Sequence, residues 1–308
     1  MSLKQFVKAK IPHIFKALKS VKSRYYLFLG KNNPELLIKK LYKGFYNRPI
    51  NLINPKDIDE KVNYLKLYGD TTLWSRYADK YAVRSYVEEC GLKHTLNQVY
   101  GVYDKPDDIK LEDLPDSFVV KTTNGGGNNS VLIVNDKQNL DKSQLVLLLN
   151  KWLKIPMGYK YGESHYDRIK PRILIEKKLP AQHGHKSLID YKFNCFDGRV
   201  YSCFVTYERE IGKAVGCSLY DLEWNLRTDK MRVGHKDMLP CPKPSSLDFM
   251  IKYSSILSKG IPYVRVDWYE IEGKPIFGEL TFTPCGGFQT DYNYDYLLEL
   301  GEQMNIGL

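Results

Sequence analysis

Residues 264–284, VRVDWYEIEGKPIFGELTFTP, constrain the fold of this chain more than any other stretch. The tripeptide Glu272-Gly273-Lys274 is a turn signal between two runs of aliphatic and aromatic residues, so a β-hairpin centred on Gly273 is predicted. Because side chains alternate along a strand, three cross-strand pairs share one face: Arg265 with Thr281, Asp267 with Glu279, and Tyr269 with Phe277. The apolar face takes Val264, Val266, Trp268, Ile276, Leu280 and Phe282.

The predicted pairing sets two carboxylates, Asp267 and Glu279, directly opposite each other. Like charges in such a pair destabilise a sheet. A divalent cation between them would remove the repulsion, and their oxygen atoms suit Mg²⁺. The alternative is an ordinary hairpin whose polar face lies in water. The hairpin therefore predicts either a magnesium site or a solvated outer face.

The composition is that of a globular protein, with 43% hydrophobic and 27% charged residues, enough apolar material for two or more lobes. No segment approaches the length of a transmembrane helix. The basic first residues are not followed by a long apolar run, so no secretory signal peptide is expected. The six cysteines include no CxxC pair, which argues against zinc fingers and disulfide frameworks. We expect a cytoplasmic protein with free thiols.

The net charge of +10 lies entirely in the N-terminal arm. Residues 1–50 contain 12 Lys and Arg and one acid, a net of +11, whereas the remainder contains 34 basic and 35 acidic residues, a net of −1. Lysines alternate there with apolar residues at helical spacing: Ile11, Ile14, Phe15, Leu18 and Val21. This predicts a basic amphipathic helix, for which two roles are open. The helix either contacts an anionic membrane, which would be the inner membrane face, or packs on the body of the protein. Nucleic acid is a third option but is not expected.

Helical and strand patterns alternate along the rest of the chain. Helices are predicted over residues 34–48, 54–69, 74–91, 142–153 and 246–260, and strands or hairpins over 114–134, 170–179, 190–209 and 264–284. This mixture indicates an α+β body with antiparallel sheets. Asp57 and Asp59 match the DxD metal motif of glycosyltransferases, but acids are expected at a helix start because they complement its dipole.

A polar loop with three glycines, Gly125, Gly126 and Gly127, follows Lys121. Glycines let backbone N–H groups approach phosphate oxygens, and the lysine adds positive charge. The loop is not a Walker A motif, since GK[ST] is absent and no helix follows directly. It predicts a hairpin loop that closes over a nucleotide, with a surface hairpin as the alternative.

Charged residues in other strands extend this nucleotide pattern. Glu176 ends the strand in KPRILIEKKL, where a strand edge and a carboxylate suit an adenine. Lys192 lies inside an otherwise apolar strand, which favours a phosphate partner. Four other residues are compatible with either a substrate-side or a solvated role: Lys80, Arg84, Arg172 and Asp291.

Taken in their order along the chain, these motifs resemble those of the ATP-grasp superfamily, specifically its TupA-like branch. That branch is associated with bacterial teichuronopeptide and surface-polysaccharide clusters. The resemblance rests on ADKYAVRSYV, LPDSFVVKTTNGGG, KPRILIEKKL, DYKFNCFDG and the opening hairpin, and covers residues 62–308 but not the arm. It implies an ATP-grasp fold, two α+β lobes that clamp ATP, preceded by a helical region. The expected divisions are a basic arm (1–50), a helical region (51–115), a small lobe with the lid (116–188) and a large lobe with the metal site (189–308).

The resemblance also implies roles for single residues. The nucleotide set comprises the phosphate-contacting Lys121 and Lys192, the lid glycines Gly125, Gly126 and Gly127, and the adenine-binding edge Glu176, Lys177 and Leu179. Asp267 and Glu279 resemble the carboxylates that bind Mg²⁺, and Arg265 resembles the arginine that stabilises the transferred phosphoryl group. The family usually has Asn two residues after the metal-binding Glu. This chain has Thr281, whose hydroxyl can still bind Mg²⁺, so an altered metal geometry is expected.

The implied activity is ATP-dependent ligation of a carboxylate to an amine through an acyl phosphate. The association with polysaccharide clusters implies a uronic-acid carboxylate, soluble or carried by a lipid, and an amino acid or another amine. An ATP-grasp kinase, a glycosyltransferase of polysaccharide biosynthesis and a non-catalytic binding module are the alternatives.

Overall fold

The computed structural model describes residues 12–126, 130–182, 185, 187–207, 216–233 and 240–307, with side chains from residue 20 onward. The lid residue Gly127 and the first residues of the arm lie outside these ranges. The α-helices of the described part are α1 (Pro12–Asn32), α2 (Pro34–Tyr46), α3 (Ile58–Tyr68), α4 (Thr72–Ala78), α5 (Val83–Glu89), α6 (Lys142–Trp152), α7 (Ser164–Asp167), α8 (Leu247–Leu257) and α9 (Tyr294–Gln303). Its strands are β1 (Val99–Tyr103), β2 (Phe118–Thr122), β3 (Val131–Val134), β4 (Ile173–Lys177), β5 (Asp190–Phe196), β6 (Arg199–Tyr207), β7 (Gly216–Tyr220), β8 (Val264–Ile271) and β9 (Lys274–Thr281).

The strands form two antiparallel sheets, each with a helix on one face. The first sheet has the order β1-β4-β2-β3, and the second has the order β7-β6-β5-β8-β9. Helix α6 buries Leu145 and Leu149 against the first sheet, and α8 buries Leu247 and Met250 against the second. The predicted α+β class with antiparallel sheets is confirmed. The first sheet also includes β1, which comes from the segment predicted to be helical.

The helix predicted over residues 74–91 is interrupted in the structure. The side chain of Asp79 accepts a hydrogen bond from the N–H of Tyr81 at 2.8 Å, which ends α4 and starts a new helix in the manner of an N-cap. At this break the N–H of Lys80 donates to the carbonyl oxygen of Thr123 at 2.9 Å. The break therefore fixes Lys80 beside the loop that follows β2.

The hairpin of β8 and β9 turns on two residues, where three were predicted. Glu272 and Gly273 both have left-handed φ values, 50° and 73°, as in the tight turns that match the twist of a hairpin. The shorter turn alone would shift the pairing by one residue, but a bulge at Gly278 restores it. Beyond the bulge the predicted pairs are confirmed: Asp267 with Glu279 and Arg265 with Thr281.

Between the bulge and the turn, the predicted pair of Tyr269 and Phe277 is wrong. The structure pairs Trp268 with Phe277 and Tyr269 with Ile276. The rings of Trp268 and Phe277 meet edge to face with centroids 5.7 Å apart, and both residues are buried in the core of the second sheet. Phe277 thus joins the apolar cluster instead of the charged face.

Helix α3 holds the loop that follows β9. The contacts are Lys66 Nζ to the carbonyl oxygen of Gly286 (2.8 Å), Asn63 Nδ2 to that of Gly287 (2.7 Å), and the backbone N–H of Gln289 to Asp59 Oδ2 (2.8 Å). Asp59 is fully buried and also accepts a hydrogen bond from Tyr46 of α2. Burial and the nearby charge of Asp57 raise the pKa of Asp59 to about 7.

Substitution of Gly278 by alanine should destabilise the protein. A Cβ at this position would lie 2.8 Å from the carbonyl oxygen of Asp267, so the strands must separate at the bulge at a cost of about 1–3 kcal/mol. Gly44→Ala is the matched control, because no atom lies within 4 Å of its added Cβ and alanine favours a helix by about 0.5–1 kcal/mol. Thermal unfolding should give a lower Tm for Gly278→Ala and an unchanged or higher Tm for Gly44→Ala. Equal Tm values would contradict the bulge.

The raised pKa of Asp59 predicts a pH dependence of stability. The folded protein binds a proton at Asp59 more tightly than the unfolded chain does, so stability is lost as the pH rises from about 4 through 7, by up to about 4 kcal/mol. Asp59→Asn removes this ionisation. The Tm of the variant relative to wild type should therefore be higher at pH 8 than at pH 5. A difference in Tm that stays constant between these pH values would show that Asp59 ionises normally.

Candidate active site

Charged side chains converge on one face of the second sheet, where β5, β8 and β9 are neighbours. Lys192 of β5 pairs with Asp267 of β8, which pairs in turn with Glu279 of β9. Arg265 and Thr281, each two residues along from a carboxylate, lie on the same face. The structure thus brings together all five residues that the sequence places at the phosphate and metal sites of the large lobe.

Asp267 is the buried centre of this cluster. Arg265 donates to it through two nitrogens, Nε to Oδ1 and Nη2 to Oδ2, both at 2.7 Å. Lys192 Nζ donates to the same Oδ2 at 3.0 Å and lies 3.3 Å from Asp190. Burial alone would lower the pKa of Arg265, but the contact with Asp267 outweighs it and raises the pKa above its ordinary value. Arg265 is therefore a fixed cation, and its third nitrogen, Nη1, makes no hydrogen bond within the described residues.

Glu279 is held by a cation from outside the sheet. Lys80, from the break between α4 and α5, forms a short ion pair with it. Thr281 Oγ1 donates to Glu279 Oε1 at 3.1 Å, and Arg265 Nη2 lies 3.9 Å from the same oxygen. Burial would raise the pKa of Glu279, but Lys80 and the other nearby cations hold it well below its ordinary value. Glu279 is thus ionised at neutral pH.

Within the described residues the cluster is electrically balanced. It contains three cations and three carboxylates: Lys80, Lys192 and Arg265, with Asp190, Asp267 and Glu279. The repulsion that the sequence predicts between Asp267 and Glu279 is therefore offset by side chains of the protein. A divalent cation between the two carboxylates stays a prediction.

The donor atoms nevertheless fit Mg²⁺. Asp267, Glu279 and Thr281 offer only oxygen atoms on adjacent strand positions, the ligand type that this ion prefers. Within the described ranges no group of three or more His, Cys, Asp and Glu side chains is placed to hold a metal. The arrangement suits an ion that receives its remaining ligands from water and from phosphate oxygens, and not an ion held by the protein alone.

A cleft between the two sheets continues from this cluster. Residues of both sheets and of the segment around α5 line it: Lys80, Arg84, Asn97, Lys121, Glu176, Leu179, Tyr269, Phe277 and Gly278. Lys121 Nζ forms an ion pair with Glu176 Oε1 at 2.5 Å across neighbouring strands. Lys121, Glu176 and Leu179 therefore line the same cleft as Lys80, which reaches the carboxylate cluster.

The glycine-rich loop begins at the mouth of this cleft, directly after β2. A Cβ on Gly125 would lie 2.1 Å from Ser130 Oγ and 2.6 Å from Thr122 Oγ1, so the loop closes there only with glycine. At Gly126 a Cβ would meet no atom within 4 Å. Gly125 therefore shapes the loop, whereas Gly126 borders open space.

Part of the predicted adenine-binding edge already has protein partners in the structure. Strand β4 lies inside the first sheet, between β1 and β2, and the two backbone groups of Lys177 are occupied by Gln98 O and Asn97 Nδ2. Glu176 is committed to Lys121. An adenine at this edge stays a prediction, and the backbone next to Leu179 lies beyond the end of β4.

The sequence does not decide whether two cleft residues, Lys80 and Arg84, contact substrate or are solvated. Lys80 contacts Glu279, which is 199 residues away in sequence. Arg84 is half-buried, which lowers its pKa, and it forms no ion pair within the described residues. In the sequence, the signal that could have placed both residues in the cleft is that they are cations four residues apart, directly after Asp79. Arg172, by contrast, pairs with Asp79 at 3.2 Å.

Comparisons with solved structures show distant similarity. D-alanine–D-alanine ligase from Bacillus anthracis is 18% identical, with 78% of this chain and 73% of that chain covered and a TM-score of 0.47. VanG D-Ala:D-Ser ligase from Enterococcus faecalis is 11% identical, with 82% and 63% covered and a TM-score of 0.43. The ATP-grasp ligase PsnB, complexed with a minimal precursor, is 11% identical, with 80% and 66% covered and a TM-score of 0.42.

A comparison with curated proteins finds no match. A comparison with protein families gives a match over most of the chain. The model described as TupA-like ATPgrasp matches residues 60–305. The match includes the whole carboxylate cluster, the cleft and the glycine-rich loop, and it leaves out α1 and α2.

Proposed function

The chain belongs to the TupA-like ATP-grasp family, and from this premise we propose that it is an ATP-dependent carboxylate–amine ligase. The observation that carries the proposal is the balanced charge cluster of the second sheet, which opens into a cleft lined by Lys80, Arg84 and Lys121. Cations in a half-enclosed cleft suit a polyphosphate.

ATP is proposed to lie in this cleft with its adenine beside Leu179 and its phosphates toward Lys192. Lys121 breaks its ion pair with Glu176, and Lys80 breaks its ion pair with Glu279, so that both lysines can neutralise phosphate oxygens. The glycine-rich loop covers the phosphates. Bound Mg²⁺ would be held by Asp267, Glu279 and Thr281 and would supply charge stabilisation to the phosphates.

The proposed reaction has two displacement steps. An oxygen of the substrate carboxylate attacks the γ-phosphorus of ATP, the bond to the β-phosphate oxygen breaks, and ADP leaves. The amine nitrogen then attacks the acyl carbon of the acyl phosphate, inorganic phosphate leaves, and the nitrogen loses a proton to water. Arg265 is already fixed by Asp267, and its Nη1 makes no hydrogen bond to the residues that the structure describes, so it can stabilise the oxyanion of each step without reorganising.

The proposed substrates are a uronic-acid sugar and an amino acid or another amine, within bacterial surface-polysaccharide biosynthesis. This choice comes from the associations of the family. The sugar carboxylate is soluble or carried by a lipid, and a lipid carrier would suit a protein that contacts the inner membrane face through its basic arm.

Calorimetric titration with ATP tests the nucleotide site. Wild type should bind ATP more tightly with Mg²⁺ than with EDTA. Asp267→Asn should reduce this gain by about tenfold or more, because it removes a metal ligand and leaves Arg265 and Lys192 in excess. Asp113→Asn, at an exposed position, is the control and should behave as wild type. Failure of the folded wild type to bind ATP would exclude the ligase mechanism.

Product analysis distinguishes the ligase from the other activities. A ligase should release both ADP and inorganic phosphate, and only when a uronate and an amine are both present. ADP without free phosphate would identify a kinase instead, and transfer of a sugar from a nucleotide sugar to an acceptor without ATP would identify a glycosyltransferase. Arg265→Lys should lower this turnover by about 100-fold, because lysine cannot keep the bidentate contact with Asp267 and a third donor.

A further inference from the structure

One side of helix α1 carries an apolar stripe that is exposed within the described residues, although Lys40 Nζ lies over the ring of Tyr25, 5.8 Å from its centre. Val21, Tyr25 and Phe28 fall at intervals of four and three residues, so they share one side of the helix. Their exposed fractions are 65%, 43% and 62%. An exposed apolar patch bordered by polar residues marks an interaction surface.

The C-terminal end of α1 is held against the body of the protein at positions beside the stripe and opposite to it. Leu29 is buried in a cluster that includes Leu41, Tyr42 and Phe288. At Gly30 a Cβ would lie 1.8 Å from the carbonyl oxygen of Tyr159, so the helix backbone is in close contact with the body there. The predicted packing of α1 on the body therefore holds at Leu29 and Gly30, whereas Val21 and Phe28 stay exposed within the part of the chain that the structure describes.

The stripe lies within a strongly basic surface. Residues 20–47 contain six cations and one acid, a net of +5: Lys22, Arg24, Lys31, Lys39, Lys40 and Lys43, with Glu35. The helical period sets Arg24 and Lys31 on one side of the stripe and Lys22 on the other. Within the described residues, one of these six cations forms an ion pair, namely Lys39 with Glu35.

We propose that this stripe and its basic border bind the surface of an anionic lipid bilayer. Apolar side chains enter the boundary between head groups and acyl chains while flanking cations contact anionic head groups. A nucleic acid would match the charge but gives no partner to Val21 and Phe28. A second copy of this chain would bring the same positive charge against itself.

The packing of α1 relates this surface to the active site. Phe288, which α1 and α2 cover, belongs to the loop after β9 that α3 holds beside the carboxylate cluster. The surface is thus connected to that loop through Phe288, and bilayer binding itself does not rest on the proposed ligase function. Among the residues that the structure describes, no helix is long and apolar enough to cross a membrane.

Vesicle sedimentation with the full chain tests the proposal. The protein should bind vesicles that contain phosphatidylglycerol, bind pure phosphatidylcholine vesicles at least about tenfold more weakly, and dissociate as salt is added. The variant Val21→Ser, Tyr25→Ser, Phe28→Ser should lose about tenfold or more in partitioning. The matched control substitutes three other exposed apolar residues, Ile53→Ser, Leu147→Ser and Phe249→Ser, and should bind as wild type. Replacement of Lys22, Arg24 and Lys31 by Gln should reduce both the binding and its salt dependence.

Four outcomes would overturn the proposal: no binding of wild type to anionic vesicles, equal binding of the stripe and control variants, preference for an oligonucleotide, or a dimer that the stripe variant dissociates. Calorimetric ATP binding is measured on the same variants and should be unchanged. Wild type that binds ATP but not anionic vesicles would contradict this proposal alone, whereas wild type that binds the vesicles but not ATP would contradict the ligase proposal alone.

Discussion

The bidentate contact between Arg265 and Asp267 is the interaction on which the rest of the candidate site depends. It lies on the central part of the second sheet, where β5, β8 and β9 are joined by backbone hydrogen bonds that fix the backbone of both residues, and the two-point contact orients their side chains. Lys192 completes the charge balance of Asp267 from the next strand. Electrostatic groups that are fixed before substrate binds stabilise charge more effectively than water does, because they need not reorient during the reaction.

Much of this geometry could be predicted from local sequence. The turn signal, the period of two and the excess of β-branched and aromatic residues were enough to place Asp267 opposite Glu279. The prediction succeeded partly through compensation, since the turn is one residue shorter than expected and the bulge at Gly278 adds one residue back. An isolated glycine inside a strand is itself a signal for a bulge, and it would have corrected the pairing of Phe277.

Other features had no local signal. Strand β4 lies between β1 and β2, and β1 comes from about 70 residues earlier in the chain. No pattern within the sequence of β4 therefore showed that both of its edges are hydrogen-bonded. The pairing of Lys80 with Glu279 likewise joins segments that are distant in sequence. A cation on a helix surface is ordinarily solvated, and only the tertiary arrangement shows that this one enters a cleft.

The charge balance of the cluster bears on whether the stability of the protein depends on bound metal. Two facing carboxylates without neighbouring cations would repel each other until a metal bound, and folding would then be coupled to metal, as it is in structural zinc domains. Here Lys80, Lys192 and Arg265 contact the two carboxylates and offset the repulsion that would produce such coupling. In the proposed binding mode, Lys80 and Lys192 leave Glu279 and Asp267 as nucleotide and metal enter together, while Arg265 stays on Asp267. Because phosphate oxygens replace carboxylates as partners of the lysines while the metal takes the carboxylates, the exchange keeps each ion paired. This favours joint binding of ATP and Mg²⁺ over binding of either alone.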